Sequence, residues 1–379
     1  MNQHDYIITG AGASGLMLAY RMAEDSFFDD KSILIIDKER KSTNDRTWCF
    51  WEKGAGEWDE LLTKSWDKIV FKSDHYKSEP EINPYHYKMI RSAGFYERLW
   101  KKIESRSNIT FIEEEVLNIS HKSEGASVLT ESSEYYGKKV CNSIVFDQTY
   151  KQQKKFPVLR QHFIGWFIET KEDTFDDSKA TFMDFSVNQK GNTRFMYILP
   201  ISPKKALVEY TLFSTKILSD KEYESEILLY LKKKDIQNYQ VLEKERGVIP
   251  MTCYKFWKYN SKNVLNIGTV GGWSKASTGY TFMNITKKTN KVLSFLKNDY
   301  SFTDFLGVTR FWWYDLLLLD ILSKENHKGS KLFSTLFQKN SIHQIFKFLD
   351  EETHFFEELK IMWGMPSLKF TKVLLKRLF

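Results

Sequence analysis

The chain has 379 residues, 42% hydrophobic and 28% charged, enough to bury a large core and form two domains. Its net charge of +7 comes from lysines scattered along the chain; with no basic arm and no base-reading motif, nucleic acid is excluded as a partner. Cys49, Cys141 and Cys253 are far apart and odd in number, which argues for a reducing compartment without a disulfide framework, and no Cys/His cluster has metal-ligand spacing, so no metal is expected.

The apolar run Tyr6-Ile7-Ile8-Thr9 reads as a first strand, followed at once by Gly10-Ala11-Gly12-Ala13-Ser14-Gly15. Gly10 permits a tight turn, Gly12 lets the backbone approach a pyrophosphate, and Gly15 lets the next helix, Leu16 to Met22, pack close to the sheet. The free N–H groups of that helix N-terminus, with Ala13 and Ser14 in its first turn, would face the diphosphate. A second apolar run, Ile33-Leu34-Ile35-Ile36, ends in Asp37, placed to bond ribose hydroxyls, and Lys38 follows as a further contact. This is a dinucleotide-binding βαβ unit.

The segment Arg46-Thr47-Trp48-Cys49-Phe50-Trp51 is expected in a loop. Met89-Ile90-Arg91 leads into a helix over Gly94 to Arg106 with Phe95, Leu99 and Ile103 on one face, and the Arg91 guanidinium suits a phosphate or flavin oxygen or a surface ion pair. Ile109 to Ile112 reads as the next parallel strand; Val128-Leu129 and Val140 to Phe146 read as an appended β unit ending at Asp147. From about 155 to 250 the pattern is of strands (Phe163 to Glu169, Arg194 to Leu199, Ala206 to Thr211) followed by a helix, Lys221 to Lys233. Val264 to Gly268 returns to an apolar strand with a glycine turn, and from about 281 the chain reads as helical.

The expected fold is α/β: a Rossmann-like FAD-binding domain (1–150 plus 250–295), an inserted β-sheet substrate domain (151–249) and a helical C-terminal region (296–379). The late segment carries this reading. In two-domain flavoproteins a strand late in the chain returns to the nucleotide domain, and its turn cradles the flavin and diphosphate. Gly268, Gly271, Gly272, Thr278 and Gly279 are the candidates, glycine being needed where the ring and ribityl chain lie against the backbone.

Taken together, the N-terminal fingerprint, Arg46 to Trp51, Val145-Phe146-Asp147, Phe182-Met183-Asp184-Phe185, Tyr197-Ile198-Leu199-Pro200, Val208-Glu209-Tyr210-Thr211, Arg246 to Met251 and Gly268 to Tyr280 resemble the FAD-dependent lycopene cyclase family of bacterial and plant carotenoid synthesis. The resemblance implies acid-catalysed closure of the acyclic ends of lycopene to β-ionone rings, giving β-carotene by way of γ-carotene. It implies FAD in the reduced form, with electrons from NADPH and no net redox change in the carotene. It also implies that Asp147 and Arg91 contact the cofactor. Thr269 stands where many flavin hydroxylases carry aspartate, which favours the cyclase branch. The rival on the same scaffold is a redox enzyme, a monooxygenase, halogenase or prenyl reductase. A carrier that binds FAD and carotenoid without turnover is a third reading.

Such chemistry needs a carboxylic acid in apolar surroundings, aromatic faces around a cation, and exclusion of water. Glu209, in the strand Ala206-Leu207-Val208-Glu209-Tyr210, matches the acidic position of the family's Glu-Asp-Thr or Glu-Glu-Thr motif and is the expected general acid, unless alternation turns it to solvent. The next residue is Tyr210 rather than a second carboxylate, so a second acid must stand elsewhere; Asp184 is the candidate, with a loop-capping role as the alternative. Trp48, Trp51, Trp273, Tyr280 and Phe282 are candidates to line the cation or to fill the core.

The aromatic content, 29 Phe, 19 Tyr and 11 Trp, fits a long apolar tunnel or an AT-rich coding bias equally. The first strand starts too early for a signal peptide, and the stretch Phe311 to Leu322 is too short and charged to span a bilayer. Ser367 to Phe379 has Lys369, Lys372, Lys376 and Arg377, no acid, and Phe370, Val373, Leu374 and Leu378 at helical spacing. It reads as a basic amphipathic helix for an anionic membrane or as a helix docked on the core. The expected location is cytoplasmic, peripheral on the inner face of the membrane.

Overall fold

The computed structural model describes residues 2–146, 148–365 and 367–378. In chain order the strands are β1 (Asn2–Thr9), β2 (Ile33–Asp37), β3 (Thr47–Lys53), β4 (Leu62–Trp66), β5 (Lys68–Lys72), β6 (Lys77–Ser78), β7 (Tyr85–Arg91), β8 (Ile109–Glu113), β9 (Val116–Lys122), β10 (Gly125–Thr130), β11 (Glu134–Asn142), β12 (Leu159–Thr170), β13 (Lys179–Asp184), β14 (Thr193–Ser202), β15 (Lys205–Ser214), β16 (Tyr239–Met251) and β17 (Val264–Asn266). The helices are α1 (Ala13–Glu24), α2 (Ser92–Glu104), α3 (Asp220–Lys233), α4 (Phe282–Lys297), α5 (Arg310–Glu325), α6 (Gly329–Lys339), α7 (Ile342–Leu349), α8 (Phe355–Trp363) and α9 (Ser367–Leu378).

The chain forms two compact units, each built from several stretches of sequence. The first runs to Trp48 and adds Arg91–Lys155 and Cys253–Arg310; the second holds Cys49–Ile90, Phe156–Thr252 and the chain from Phe311 onward. Three boundaries therefore differ from the sequence reading, the first being that the first unit runs on to Arg310 instead of ending at 295. Residues 49–90 join the second unit, and the helices after Phe311 belong to it too instead of standing apart. Arg46 to Trp51, read as loop, is largely the strand β3, because its partner β7 lies far along the chain.

The first unit has a seven-stranded sheet of order β8-β2-β1-β11-β10-β9, with β17 added on β11. β8, β2, β1, β11 and β17 are parallel, whereas β9 and β10 pair antiparallel. Among the parallel strands β2, Ile33–Asp37, is a short apolar run buried on both faces. The Arg21 Nε of α1 donates to Thr289 Oγ1 of α4 at 2.9 Å, tying the first helix to the helix after the glycine-rich turn.

The second unit holds a seven-stranded sheet of order β16-β12-β15-β14-β13-β5-β6 and a three-stranded sheet of order β3-β7-β4. Strand alternation divides the large sheet cleanly. Ile164, Trp166, Met196, Val208, Tyr210 and Leu212 pack under Tyr223, Ile227, Tyr230 and Leu231 of α3. The alternate residues, among them Gly165, Tyr197 and Glu209, take the other face. α6 backs directly onto β14, where a Cβ on Gly329 would lie 1.8 Å from Thr193 Oγ1. Much of the aromatic excess gathers here: Phe71 stacks on Phe337 at 4.0 Å, Trp51 on Phe346 at 4.6 Å, and Phe185 on Phe333 at 5.8 Å.

Candidate active site

In the first unit the glycine fingerprint forms a turn between β1 and α1. Gly10 sits at φ +93° with its virtual Cβ 2.1 Å from Ser143 Oγ, so only glycine fits there. A Cβ on Gly15 would lie 1.9 Å from the Gly10 carbonyl oxygen, which is the close helix–strand approach expected of it. Gly12, by contrast, faces open space, and as N-cap of α1 it offers no side-chain cap. The first N–H groups of α1, those of Ala13 and Ser14 among them, are thus left for an anion. Asp37 closes the turn: its carboxylate accepts from the Ala11 N–H, and also from the Glu39 N–H at 3.3 Å. Lys38 beside it is exposed.

The late glycine segment meets this turn. β17 lies parallel to β11, and a short 3₁₀ turn over Gly268–Gly271 follows. Gly268, at φ +62°, would place a Cβ 2.5 Å from Ser14 Oγ, so the two glycine segments converge on the first turn of α1. Gly272 and Gly279 also hold positive φ, +70° and +75°. Gly271 packs against the Asn266 carbonyl, and the Thr278 N–H closes a turn on Lys275 O at 3.2 Å. Along the strand ends runs a polar ladder: Thr9 Oγ1 donates to Asn142 Oδ1 at 2.8 Å, and Asn142 Nδ2 to Asn266 Oδ1 at 2.9 Å. Among the described residues, Ser277 Oγ and Trp273 Nε1 are buried without a hydrogen-bond partner. An open backbone at Gly12, an uncapped helix and these unmatched polar atoms fit a dinucleotide. Arg91 is half-buried as N-cap of α2, and Asp147 lies outside the described residues.

In the second unit, Glu209 is only 8% exposed and stands on the sheet face away from α3. In register it is flanked by Gly165 of β12 and Tyr197 of β14. Glu245 of β16 is opposite Gly165 on its other side. The two glutamates therefore meet across a glycine, about 10 Å apart at Cα, or two strand spacings. A Cβ on Gly165 would lie 3.2 Å from Glu245 Cγ and 3.4 Å from Glu209 Cβ, so the missing side chain makes room for the pair. The carboxyls hydrogen-bond to each other, and Thr211 Oγ1 donates to Glu209 Oε1 at 2.5 Å. Burial first, and the charge of Glu245 second, push the Glu209 carboxyl up to about 8, so it holds its proton at neutral pH. Cys49 of β3, bonded to Tyr87 of β7, is close enough that burial and then the charges of Glu209 and Glu245 push its thiol up as well.

Tyr197, the cross-strand neighbour of Glu209, begins a chain of packed rings. The Tyr197 ring lies 6.3 Å from Phe182, which lies 5.3 Å from Tyr87 and 6.3 Å from Trp51. Sequence reasoning missed Glu245 and Tyr87, since both reach the site through strand registers that no local pattern carries. Trp48 packs with Phe95, Tyr96 and Phe282 in the first unit, and Trp273 with Phe305, so those rings serve as core there.

The structure does not bring Asp184 to Glu209. A register shift after Thr181 aligns Asp184 with Met196, on the α3 face of the sheet. There its carboxylate accepts from Tyr230 Oη at 2.7 Å and from the Ser186 N–H at 2.9 Å, with Lys234 and Lys72 at 3.7 and 3.9 Å. Burial alone would raise this carboxyl, but the Ser186 and Tyr230 hydrogen bonds and the Lys72 charge outweigh it and hold it below its ordinary value. Asp184 is an ionised structural anchor for α3. Among the described residues no His/Cys/Asp/Glu group has the makings of a metal site.

A dinucleotide turn in one unit and a buried carboxyl beside packed rings in the other belong to an α/β flavoprotein fold. The chain matches a flavoprotein/dehydrogenase of Cytophaga hutchinsonii with a TM-score of 0.59 at 9% identity, covering 99% of this chain and 100% of that one. The model of the family described as lycopene cyclase protein matches residues 5–375, and the chain belongs to that family. It is 24% identical over 290 residues to lycopene beta-cyclase of Pantoea ananas, covering 73% of this chain and 71% of that protein. It is also 24% identical over 307 residues to the chloroplastic neoxanthin synthase of Solanum tuberosum, covering 73% of this chain but only 57% of the plant protein's length.

Proposed function

We propose that the protein is a lycopene β-cyclase, an isomerase that closes the acyclic ends of lycopene into β-ionone rings. The observation that carries this reading is a buried Glu209 paired with Glu245 across Gly165 and beside Tyr197, where burial and the neighbouring charge favour its protonated form. Glu209 gives its proton to C2 of the terminal alkene, leaving the positive charge on C1. The C5–C6 double bond attacks C1, the C1–C6 bond forms, and the charge moves to C5. Loss of the C6 proton sets the ring double bond, so product and substrate are isomers. When Glu209 gives up its proton both carboxyls of the pair are ionised, their two negative charges face the positive charge on the substrate, and either can take a proton back. Tyr197, beside Glu209 in register, is the ring placed to meet the cation, with Phe182 and Tyr87 packed behind it.

Bound in the first unit, reduced FAD, with electrons from NADPH, would supply electron density that favours a cation without delivering hydride to product. Gly10, Gly12, Ala13, Ser14, Gly15 and Asp37, with Gly268, Gly271, Gly272, Thr278 and Gly279, are the residues that would hold it, and Lys38, Arg91 and Asp147 are further contacts. The substrate is a membrane-dissolved hydrocarbon, so the protein works at the inner membrane surface as a peripheral protein.

Expression in a lycopene-accumulating bacterial host, with pigments separated by chromatography, tests the reading. The native chain converts lycopene to γ- and β-carotene, Glu209→Gln does not, and Asp184→Asn keeps the activity at reduced thermal stability. Unchanged lycopene beside folded, flavin-loaded native protein overturns the proposal.

A further inference from the structure

The sequence points to the last helix as the membrane element, yet α9 is partly spoken for. Arg377 of α9 is clamped to Asp320 of α5, its Nη2 and Nε at 2.7 and 2.8 Å from the two carboxylate oxygens. Phe370, Val373 and Leu374 are half-buried. The element left bare is α8. Phe356 is 83% exposed and Trp363 90%, with Phe355 at 56% and Leu359 at 43%. Residues 356, 359 and 363 follow i, i+3, i+7 spacing, and 355 and 359 follow i, i+4, so the four side chains share one face.

The acids of α8 are withdrawn from that face. Glu357 accepts from the Lys347 ammonium at 2.7 and 2.8 Å and from the His354 N–H at 2.8 Å. Glu358 is fully buried and accepts from Tyr314 Oη at 2.8 Å and Thr353 Oγ1 at 3.2 Å. Ile361, 2% exposed, holds the opposite face to the core. From Leu359 to Phe379 the sequence has Lys360, Lys369, Lys372, Lys376 and Arg377 and no Asp or Glu. Lys360, Lys372 and Lys376 are exposed. A helix that bares two phenylalanines, a leucine and a tryptophan, carries Lys360, turns its own acids away and is followed in sequence by a helix with Lys372 and Lys376 exposed has the chemistry of an anionic lipid interface. At nine residues, about 13 Å, α8 is far too short to span a bilayer, so it lies in the headgroup layer.

We propose that α8 is the membrane-embedding element of this protein: Phe355, Phe356, Leu359 and Trp363 enter the interface of an anionic bilayer, and Lys360, Lys372 and Lys376 meet its phosphates. This stands on the helix alone and needs neither flavin nor carotene, so its failure and that of the cyclase reading are separable. The test is co-sedimentation of the purified full chain with vesicles of phosphatidylcholine, pure or mixed with phosphatidylglycerol. The native chain pellets with the anionic vesicles, and high salt weakens binding. Phe356→Ser with Trp363→Ser lowers the partition about tenfold or more, with an unchanged melting temperature because both side chains are exposed. Lys372→Glu with Lys376→Glu removes only the preference for anionic lipid. Brominated acyl chains quench fluorescence in the native chain more than in Trp363→Phe. Native protein that stays in the supernatant, or a serine double variant that binds as tightly as the native chain, overturns the proposal. So does a double variant that turns a dimer into a monomer without affecting vesicle binding, since a second copy is then the occupant.

Discussion

Replacing Glu245 with glutamine keeps the shape of the side chain beside Gly165 and removes only its charge. Two carboxyls about 5 Å apart in a medium of effective dielectric about 20 interact by about 3 kcal/mol, or about two pH units on the partner's titration. Burial is the larger cause of the high Glu209 value and is unchanged, as is the Thr211 hydrogen bond. The direction follows from the sign of the interaction. A neighbouring negative charge holds the proton on Glu209, so removing it lets that proton leave at lower pH. The Glu209 midpoint falls from about 8 to roughly 6 or 7, and the alkaline limb of cyclisation moves down by about one to two pH units, while activity at acid pH is much less affected. The assay is the pH profile of carotene conversion by reconstituted, reduced enzyme, with an infrared titration of the protonated-carboxyl band on the same variant. An alkaline limb that stays in place in Glu245→Gln refutes the paired-carboxylate reasoning, because Glu209 would then be set by burial alone.

Gly165→Ala places a methyl 2.8 Å from Leu207 Cδ1 and 3.2 Å from Glu245 Cγ, and should cost about 1–3 kcal/mol in calorimetry and separate the carboxyl pair, seen as a downward shift of the same alkaline limb. Glu209→Gln should stabilise the protein at high pH. The unfolded chain releases this proton near 4.5 and the native state near 8, so native stability falls as pH rises through that window and the full penalty stands above it. The variant and native melting temperatures should therefore converge near pH 4 and separate by pH 8, with the variant higher by a gap worth a few kcal/mol.

What could be read from sequence was local. Gly10, Gly12 and Gly15 state their backbone requirements within six residues, and Asp37 ends an apolar run of its own. The late glycine segment was also legible, because β17 and its turn repeat the strand-then-glycine pattern of β1. Glu209 could be found because its strand is apolar on both sides. Its partner could not: Glu245 reaches it only through two antiparallel registers that share Gly165, and its own strand alternates as an exposed edge strand does. For Asp184 the choice between a second acid and a structural carboxylate stayed open for a related reason, since alternation places it only if the shift between Thr181 and Asp184 is known. The docking of β3 against β7, and of α6 and α7 onto the second unit, rests on contacts far apart in sequence, and no local pattern carries that information. α8 was hidden because its burial pattern depends on where Glu357 and Glu358 find partners, which only the fold decides.

In the proposed cyclisation a proton from Glu209 is added to C2 and a different proton leaves from C6, with nothing oxidised. Running the reaction of the reduced enzyme on lycopene in deuterated water measures this directly. The cyclisation gives β-carotene carrying one deuterium at C2 of each ring, with no consumption of NADPH in proportion to product. Unlabelled rings, or a product that has gained hydrogen or oxygen with matching NADPH use, would contradict it.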